Sequence, residues 1–250
     1  MIVCKSAAEL EKMRAAGRVV AQVLQAVAAK VAPGVTTLEL EAVADKAIAA
    51  AGAAPAFKGY HGYPCVLCTS VNEEVVHGIP SERKLQRGDI VSIDVGVKLD
   101  GFFADAATTV ALAPVSPEAE RLLRVTREAL DKAVAAMCPG RHLADISEAV
   151  QQHVEAAGFG VVREFVGHGI GAALHEEPQV PNYVTPTKGR GPRLEPGMVL
   201  ALEPMVTAGA PAVTIQPDRW TAVTADGSNA AHFEHCVAVT QNGPWILTEL

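Results

Sequence analysis

No run of about 18 consecutive apolar residues occurs in this 250-residue chain, so the sequence offers no membrane-spanning helix. Positive charge is not in excess either. The 21 Lys and Arg stand against 28 Asp and Glu, a formal net charge of −7, which argues against nucleic acid or an anionic membrane surface as partner. Only five cysteines are present, an odd number, which speaks against a disulfide framework and for a reducing, cytoplasmic setting. Cys65 and Cys68 form a lone C-x-x-C; Cys4, Cys138 and Cys236 are scattered and supply no second pair for a structural zinc. The N-terminal stretch is broken by Glu9, Glu11, Lys12, Arg14 and Arg18 and lacks the apolar centre of a secretion signal. What the chain has is apolar mass, 49% of its residues, enough for one large core or two fused half-cores.

A short pattern is written twice. The stretch from Leu85 to Asp94 lines up with that from Leu194 to Glu203, and each copy ends in a carboxylate. Upstream each copy has a His-Gly-Ile, at His77-Gly78-Ile79 and His168-Gly169-Ile170, and downstream each has a further acid, Asp105 and Glu234. The match reaches back to Pro33-Gly34 and Pro139-Gly140, and from there Leu40 meets Ile146, Ile48 meets Val154 and Gly52 meets Gly158 in constant register. One repeat of this length implies a duplicated domain, with halves at about 1–112 and 113–250, not a solenoid.

Each half reads as helices followed by strands. Ser6 with Glu9 forms a capping-box signature ahead of Leu10, Met13, Val20, Val23 and Val27 at helical spacing, stopped by Pro33-Gly34. Thr36 with Glu39 opens a second helix that Gly52 closes. Ser116-Pro117 starts a third, running to Pro139-Gly140, and Asp145 with Glu148 is read as the cap of a fourth, ending at Gly158. Short β-branched runs at 65–71 and 90–93 are strands, and a Pro/Gly-rich connection spans Pro178 to Pro196.

The acids can be placed relative to one another. Asp100-Gly101 is a two-residue hairpin signal, so Leu99 faces Phe102 and Asp105 faces Gly96, two residues from Asp94 on the same side of the sheet. Asp94 and Asp105 are then diagonal neighbours, roughly 7–8 Å apart at Cα. Left alone, two such charges repel, and one pKa rises. Two metal ions about 3.5–4 Å apart fit this spacing better than one. If Glu203 and Glu234 hold equivalent places and His168 adds the one imidazole, four carboxylates balance two divalent ions. An oxygen-rich set with a single imidazole suits Mn, Fe, Co or Zn without choosing among them.

At this point the chain resembles a known family. Gly59 to Pro64, Cys68 to Glu73, His77-Gly78-Ile79-Pro80, Asp89 to Val95, Gly167 to Gly171, His175 to Val180 and Leu202 to Met205 are similar to the motifs of type I methionine aminopeptidases, over nearly the whole length. These are pita-bread metallohydrolases. The resemblance implies an α/β (α+β) fold of duplicated halves, with a curved antiparallel sheet backed by two helix pairs. It implies removal of the initiator methionine from nascent chains when the second residue is small, by two divalent ions held by Asp94, Asp105, His168, Glu203 and Glu234. Glu203 is then also the general base, His77 contacts substrate beside the scissile bond, and His175 bonds the peptide carbonyl or the tetrahedral intermediate. Tyr60, Tyr63, Cys68 and Trp220 match the methionine pocket. The expected partners are nascent N-termini at the ribosomal exit, met by a monomer.

Two residues depart from that pattern. Leu174 stands where Phe is usual, and Phe57 where Cys is common, so the shape of the pocket is the open feature. No N-terminal zinc-binding extension, inserted second-half subdomain or prolidase-type N-terminal domain is read in the chain. The rival readings are a prolidase or Xaa-Pro aminopeptidase of the same fold, and a non-enzymatic partner-binding module that has lost its metals. Retention of all five ligands argues against the second.

Overall fold

Ser6 and Thr36 start the first two helices through reciprocal caps. The Ser6 amide donates to Glu9 Oε2 at 2.8 Å while Glu9 donates back to Ser6 Oγ, and Thr36 and Glu39 repeat the arrangement. The protein, seen here as a computed structural model, is described over residues 2–184 and 189–250. Residues 185–188 of the Pro/Gly-rich connection lie outside the described residues. Helix α1 spans Ala7–Lys30 and α2 Thr37–Ala50, and Gly52 ends α2 at φ +68°, where a Cβ would be strained. The strands of the first half follow: β1 Ala54–Pro55, β2 Leu67–Val71, β3 Glu74–Val76, β4 Ile90–Leu99 and β5 Phe102–Ala111. The turn between β4 and β5 has positive φ at both Asp100 and Gly101, and Gly96 faces Asp105 as read.

The second half opens with α3 Pro117–Ala136 and α4 Leu143–Ala156, then β6 Gly160–Val161, β7 Gly167–Gly169, β8 Glu176–Val180, β9 Val199–Leu202 and β10 Met205–Thr207. Next come β11 Val213–Ile215, β12 Ala222–Thr224, β13 Ala230–His232, β14 His235–Thr240 and β15 Gly243–Ile246. Every strand pairing is antiparallel among the described residues. The sheet of the first half runs β1-β4-β2 with β5 on the other flank of β4, and that of the second runs β15-β14-β9-β7-β8. Helix α1 packs on β4 and β5 with α2 beside it, while α3 packs against α4 and covers the second half. Met13, Val20 and Val27 of α1 and Leu122, Val125 and Leu130 of α3 are buried in the two cores, the amphipathic faces that hold each helix to its sheet.

The repeat is visible in the backbone. Gly34 donates to the Leu85 carbonyl at 2.7 Å and Gly140 to that of Leu194 at 2.9 Å; Gly88 donates to Leu112 and Gly197 to Val239. Gly88 and Gly197 share a φ of +94°. The same register corrects one helix start: α4 begins at Leu143, and the His142 amide donates to Asp145 Oδ2 at 2.7 Å. Asp145 is therefore the third residue of the first turn, as Glu39 is in α2, and not the cap itself.

Candidate metal centre and its pocket

The site lies where the two halves meet. Asp94 is in the middle of β4, between Cys68 of β2 and Ala107 of β5, and Asp105 reaches the same face from β5 opposite Gly96. Glu203 follows directly on β9, and Glu234 sits in the short bend between β13 and β14. His168 is central in β7. One ligand atom each from Asp105, His168 and Glu234 lie within 4.8 Å of one another, and all three residues are buried. His168 Nε2 is 3.5 Å from Asp105 Oδ2 and 3.6 Å from Glu203 Oε1. The opposite nitrogen, Nδ1, lies 2.9 Å from the Gly169 carbonyl, which can only accept, so Nδ1 carries a proton and Nε2 is the nitrogen turned toward the acids.

The environment of these acids is one a cation would relieve. Asp94 Oδ1 is buried with no hydrogen-bond partner. Burial raises the Asp94 carboxyl well above the usual range, and Asp105 raises it further. Glu203 and Glu234 are also held high, by burial first and then by neighbouring carboxylates. Asp105 is raised less, because His168 and a thiol bond from Cys236 to Oδ1, 3.0 Å long, oppose its burial. Buried acids with an orphaned oxygen, and an imidazole nitrogen turned toward them, form a donor set that fits divalent ions.

Above the acids opens a cavity of about 290 Å³, lined by Tyr60, Tyr63, Cys68, His77, His175 and Trp220 together with Asp94, Asp105, His168, Glu203 and Glu234. Every residue nominated from the sequence thus borders one space. Phe57, Val76, Phe165, Val166, Leu174 and Met205 complete its apolar wall. Gly96 makes room for Phe57, since a Cβ there would come within 2.7 Å of its ring. The Tyr63 ring meets Trp220 edge to face at 5.1 Å, and its hydroxyl turns away to donate to the Leu67 carbonyl. His175 stands 4.1 Å from His168, ring centre to ring centre, and its Nδ1 is 2.7 Å from the Tyr60 hydroxyl. Burial lowers its pKa to about 4, with His168, His77 and His61 adding to the effect. His77, at φ +60°, packs edge to face on Phe165 and is likewise lowered to about 4 by burial. Both imidazoles are neutral at physiological pH.

The repeated His-Gly-Ile does not mark equivalent places. Ser92 of β4 pairs with Ser70, and Ala201, which takes the place of Ser92 in the second copy, pairs with His168. Ser70, not His77, is the counterpart of His168. Similarly, Asp94 pairs with Ala107, while Glu203 and Glu234 are the residues next beyond the Leu202–His235 pair. Ala107, not Asp105, is therefore the counterpart of Glu234. Two further residues were not singled out from the sequence. His232 is buried, its Nε2 unpartnered and 4.0 Å from Glu203 Oε2, and Cys236 bonds Asp105. Both lie two residues from Glu234, and that period-two spacing is the signal that could have found them.

Residues 11–241 match the pattern of metallopeptidase family M24, and the chain belongs to that family. Metal-dependent peptide hydrolysis is the class that the fold and site define. Within it the chain falls among the methionine aminopeptidases: it is 50% identical over 250 residues to methionine aminopeptidase 1 of Bacillus subtilis, with 100% of both chains covered. The crystal structure of methionine aminopeptidase from Thermotoga maritima superposes with a TM-score of 0.97 at 47% identity, again over 100% of each chain. Prolidase from Pyrococcus furiosus shares the pita-bread fold alone, at a TM-score of 0.78 and 22% identity, with 99% of this chain and 66% of that one covered.

Proposed function

We propose that this chain removes N-terminal methionine from nascent proteins whose second residue is small, using two divalent ions held by Asp94, Asp105, His168, Glu203 and Glu234. The observation that carries the reading is the meeting of those five side chains beneath a cavity walled by Tyr63, Cys68, Leu174 and Trp220. A thioether is polarizable and apolar, and contact with an aromatic edge is worth about 0.3–1.5 kcal/mol, so this wall suits a methionine side chain. When bound, divalent ions supply an acidified water and charge stabilisation near neutral pH. Glu203 takes the proton of the attacking water. The neutral His175, steadied by Tyr60, donates from Nε2 to the developing oxyanion, an interaction able to contribute a few kcal/mol. His77 holds the substrate beside the scissile bond.

In this reading the two halves, at about 1–112 and 113–250, form one catalytic unit that acts as a monomer on chains leaving the ribosome. No helix among the described residues is long and apolar enough to cross a membrane. The experiment is turnover of Met-Ala-Ser by metal-stripped protein with Co, Mn, Fe or Zn added back, beside Ala-Pro. Expected is metal-dependent release of methionine with Ala-Pro untouched; cleavage of Ala-Pro in preference would move the assignment to the prolidases.

A further inference from the structure

We infer that the ion pair between buried Lys5 and half-buried Glu176 positions His175, which makes the segment ahead of α1 a support of the reaction centre. The inference rests on the role given to His175 above. Lys5 is 8% exposed, an unusual state for a lysine. Its Nζ donates to Glu176 Oε2 at 2.6 Å and to the Val3 carbonyl at 3.0 Å, and its amide donates to the Gly197 carbonyl at 2.7 Å. Gly197 belongs to the turn that leads into β9 and so to Glu203. One short segment therefore touches both the turn feeding Glu203 and the residue next to His175.

Glu176 uses its second oxygen as well: Oε1 accepts from the Ala173 amide at 3.2 Å. The loop of residues 170–175 that joins β7 to β8 is pinned further where Gly171 donates to the Ala173 carbonyl and Phe103 of β5 donates to that of Gly171. Gly171 is the slot for the pair, because a Cβ there would overlap Lys5 Cε and Glu176 Oε1. A buried ion pair is a weak source of stability, since removing two charges from water offsets much of their attraction. What this one supplies is geometry. It fixes the backbone one residue from an imidazole that must meet both Tyr60 and the reacting carbonyl, and misplacement by about 1 Å from a remote change can cost as much as 100-fold in rate.

The test is the double variant Lys5→Met/Glu176→Gln, in which neither charge is left unpaired in the interior, made in the wild type and in His175→Ala. Each protein is loaded with metal and assayed with Met-Ala-Ser, and metal affinity is measured by calorimetry. In the wild-type background kcat is expected to fall about tenfold or more, with KM within about twofold and metal affinity unchanged. In the His175→Ala background the double variant should cost nothing further. Undiminished kcat, or an equal loss in both backgrounds, overturns the inference while leaving the site reading intact. Wild-type turnover by His175→Ala alone overturns the role of His175 and this inference with it.

Discussion

Ala107 and Glu234 exchange both backbone hydrogen bonds: the Glu234 amide donates to the Ala107 carbonyl at 2.9 Å, and the Ala107 amide returns to the Glu234 carbonyl at 3.4 Å. Each is the other's counterpart in the repeat, so the approximate twofold relating the halves passes between them. Only one of the pair carries a carboxylate. Asp105 makes up the difference, arriving from two residues before Ala107.

Asp94→Asn and Glu203→Gln are each expected to lower peptide turnover by at least about 100-fold, beyond what loss of an outer supporting contact gives. The fold should survive, because the amides are near-isosteric and each removes a charge that its neighbours already disfavour. Steady-state kinetics with circular dichroism would check this, and near-wild-type rates would remove the two-metal assignment.

His77→Ala should keep metal affinity near wild type while lowering turnover. His77 does not occupy the place of His168; Ser70 does, and the His77 ring rests on Phe165. Calorimetric titration decides, and loss of one bound ion would make His77 a ligand.

Leu174→Phe should sharpen selection of methionine over norleucine. Leu174 lines the cavity, and a ring at that position can meet the thioether sulfur, worth about 2- to 10-fold in the kcat/KM ratio. An unchanged ratio in peptides beginning with either residue would show that Leu174 does not contact the first side chain.

The stabilisation given by metal should grow as pH rises from about 5 to 8. Asp94, Glu203 and Glu234 have folded pKa values raised above the ordinary 3.8 and 4.5. Metal-free protein therefore binds more protons folded than unfolded above those ordinary values, and this contribution to stability is lost as pH climbs through the raised folded values. Bound ions hold the acids ionised and remove that loss. His77, His175, His232 and His235, all lowered by burial, add an opposite slope below about 6.5, but equally with and without metal. The comparison is the difference in Tm between loaded and chelated protein across that range, and a difference that is constant or shrinks refutes it.

The local elements were legible because their signals are local. Ser6 with Glu9, Thr36 with Glu39 and the Asp100-Gly101 turn each announce themselves within a few residues, and the hairpin alone fixed Asp105 opposite Gly96. The recognisable motifs led every nominated side chain to one cavity. Less legible was whatever depends on how strands pair across the fold. His77-Gly78-Ile79 and His168-Gly169-Ile170 match letter for letter yet sit at different rungs, because pairing register is not written in the tripeptide. His232, Cys236 and Lys5 escaped for a related reason: each acts on a residue brought near by the fold, and a lysine ahead of a helix ordinarily faces water.

The division of the cluster between the halves bears on the order in which the molecule can be completed. Asp94 and Asp105 leave the ribosome long before His168, Glu203 and Glu234, and until the bend between β13 and β14 exists Ala107 has its β4 partner, Asp94, but not Glu234 on its other flank. The first hairpin must therefore wait, with two acids on one face, for a strand made at nearly the far end of the chain. A fragment that stops before Glu234 keeps the bonds from Thr109 to the His232 carbonyl and from Ala230 to the Asn72 carbonyl that join the halves, but lacks the Ala107–Glu234 pair and, in the reading proposed above, one of the five metal ligands. In that reading, complete metal binding awaits the synthesis of Glu234, and a copy truncated before it is expected to be inactive as a hydrolase.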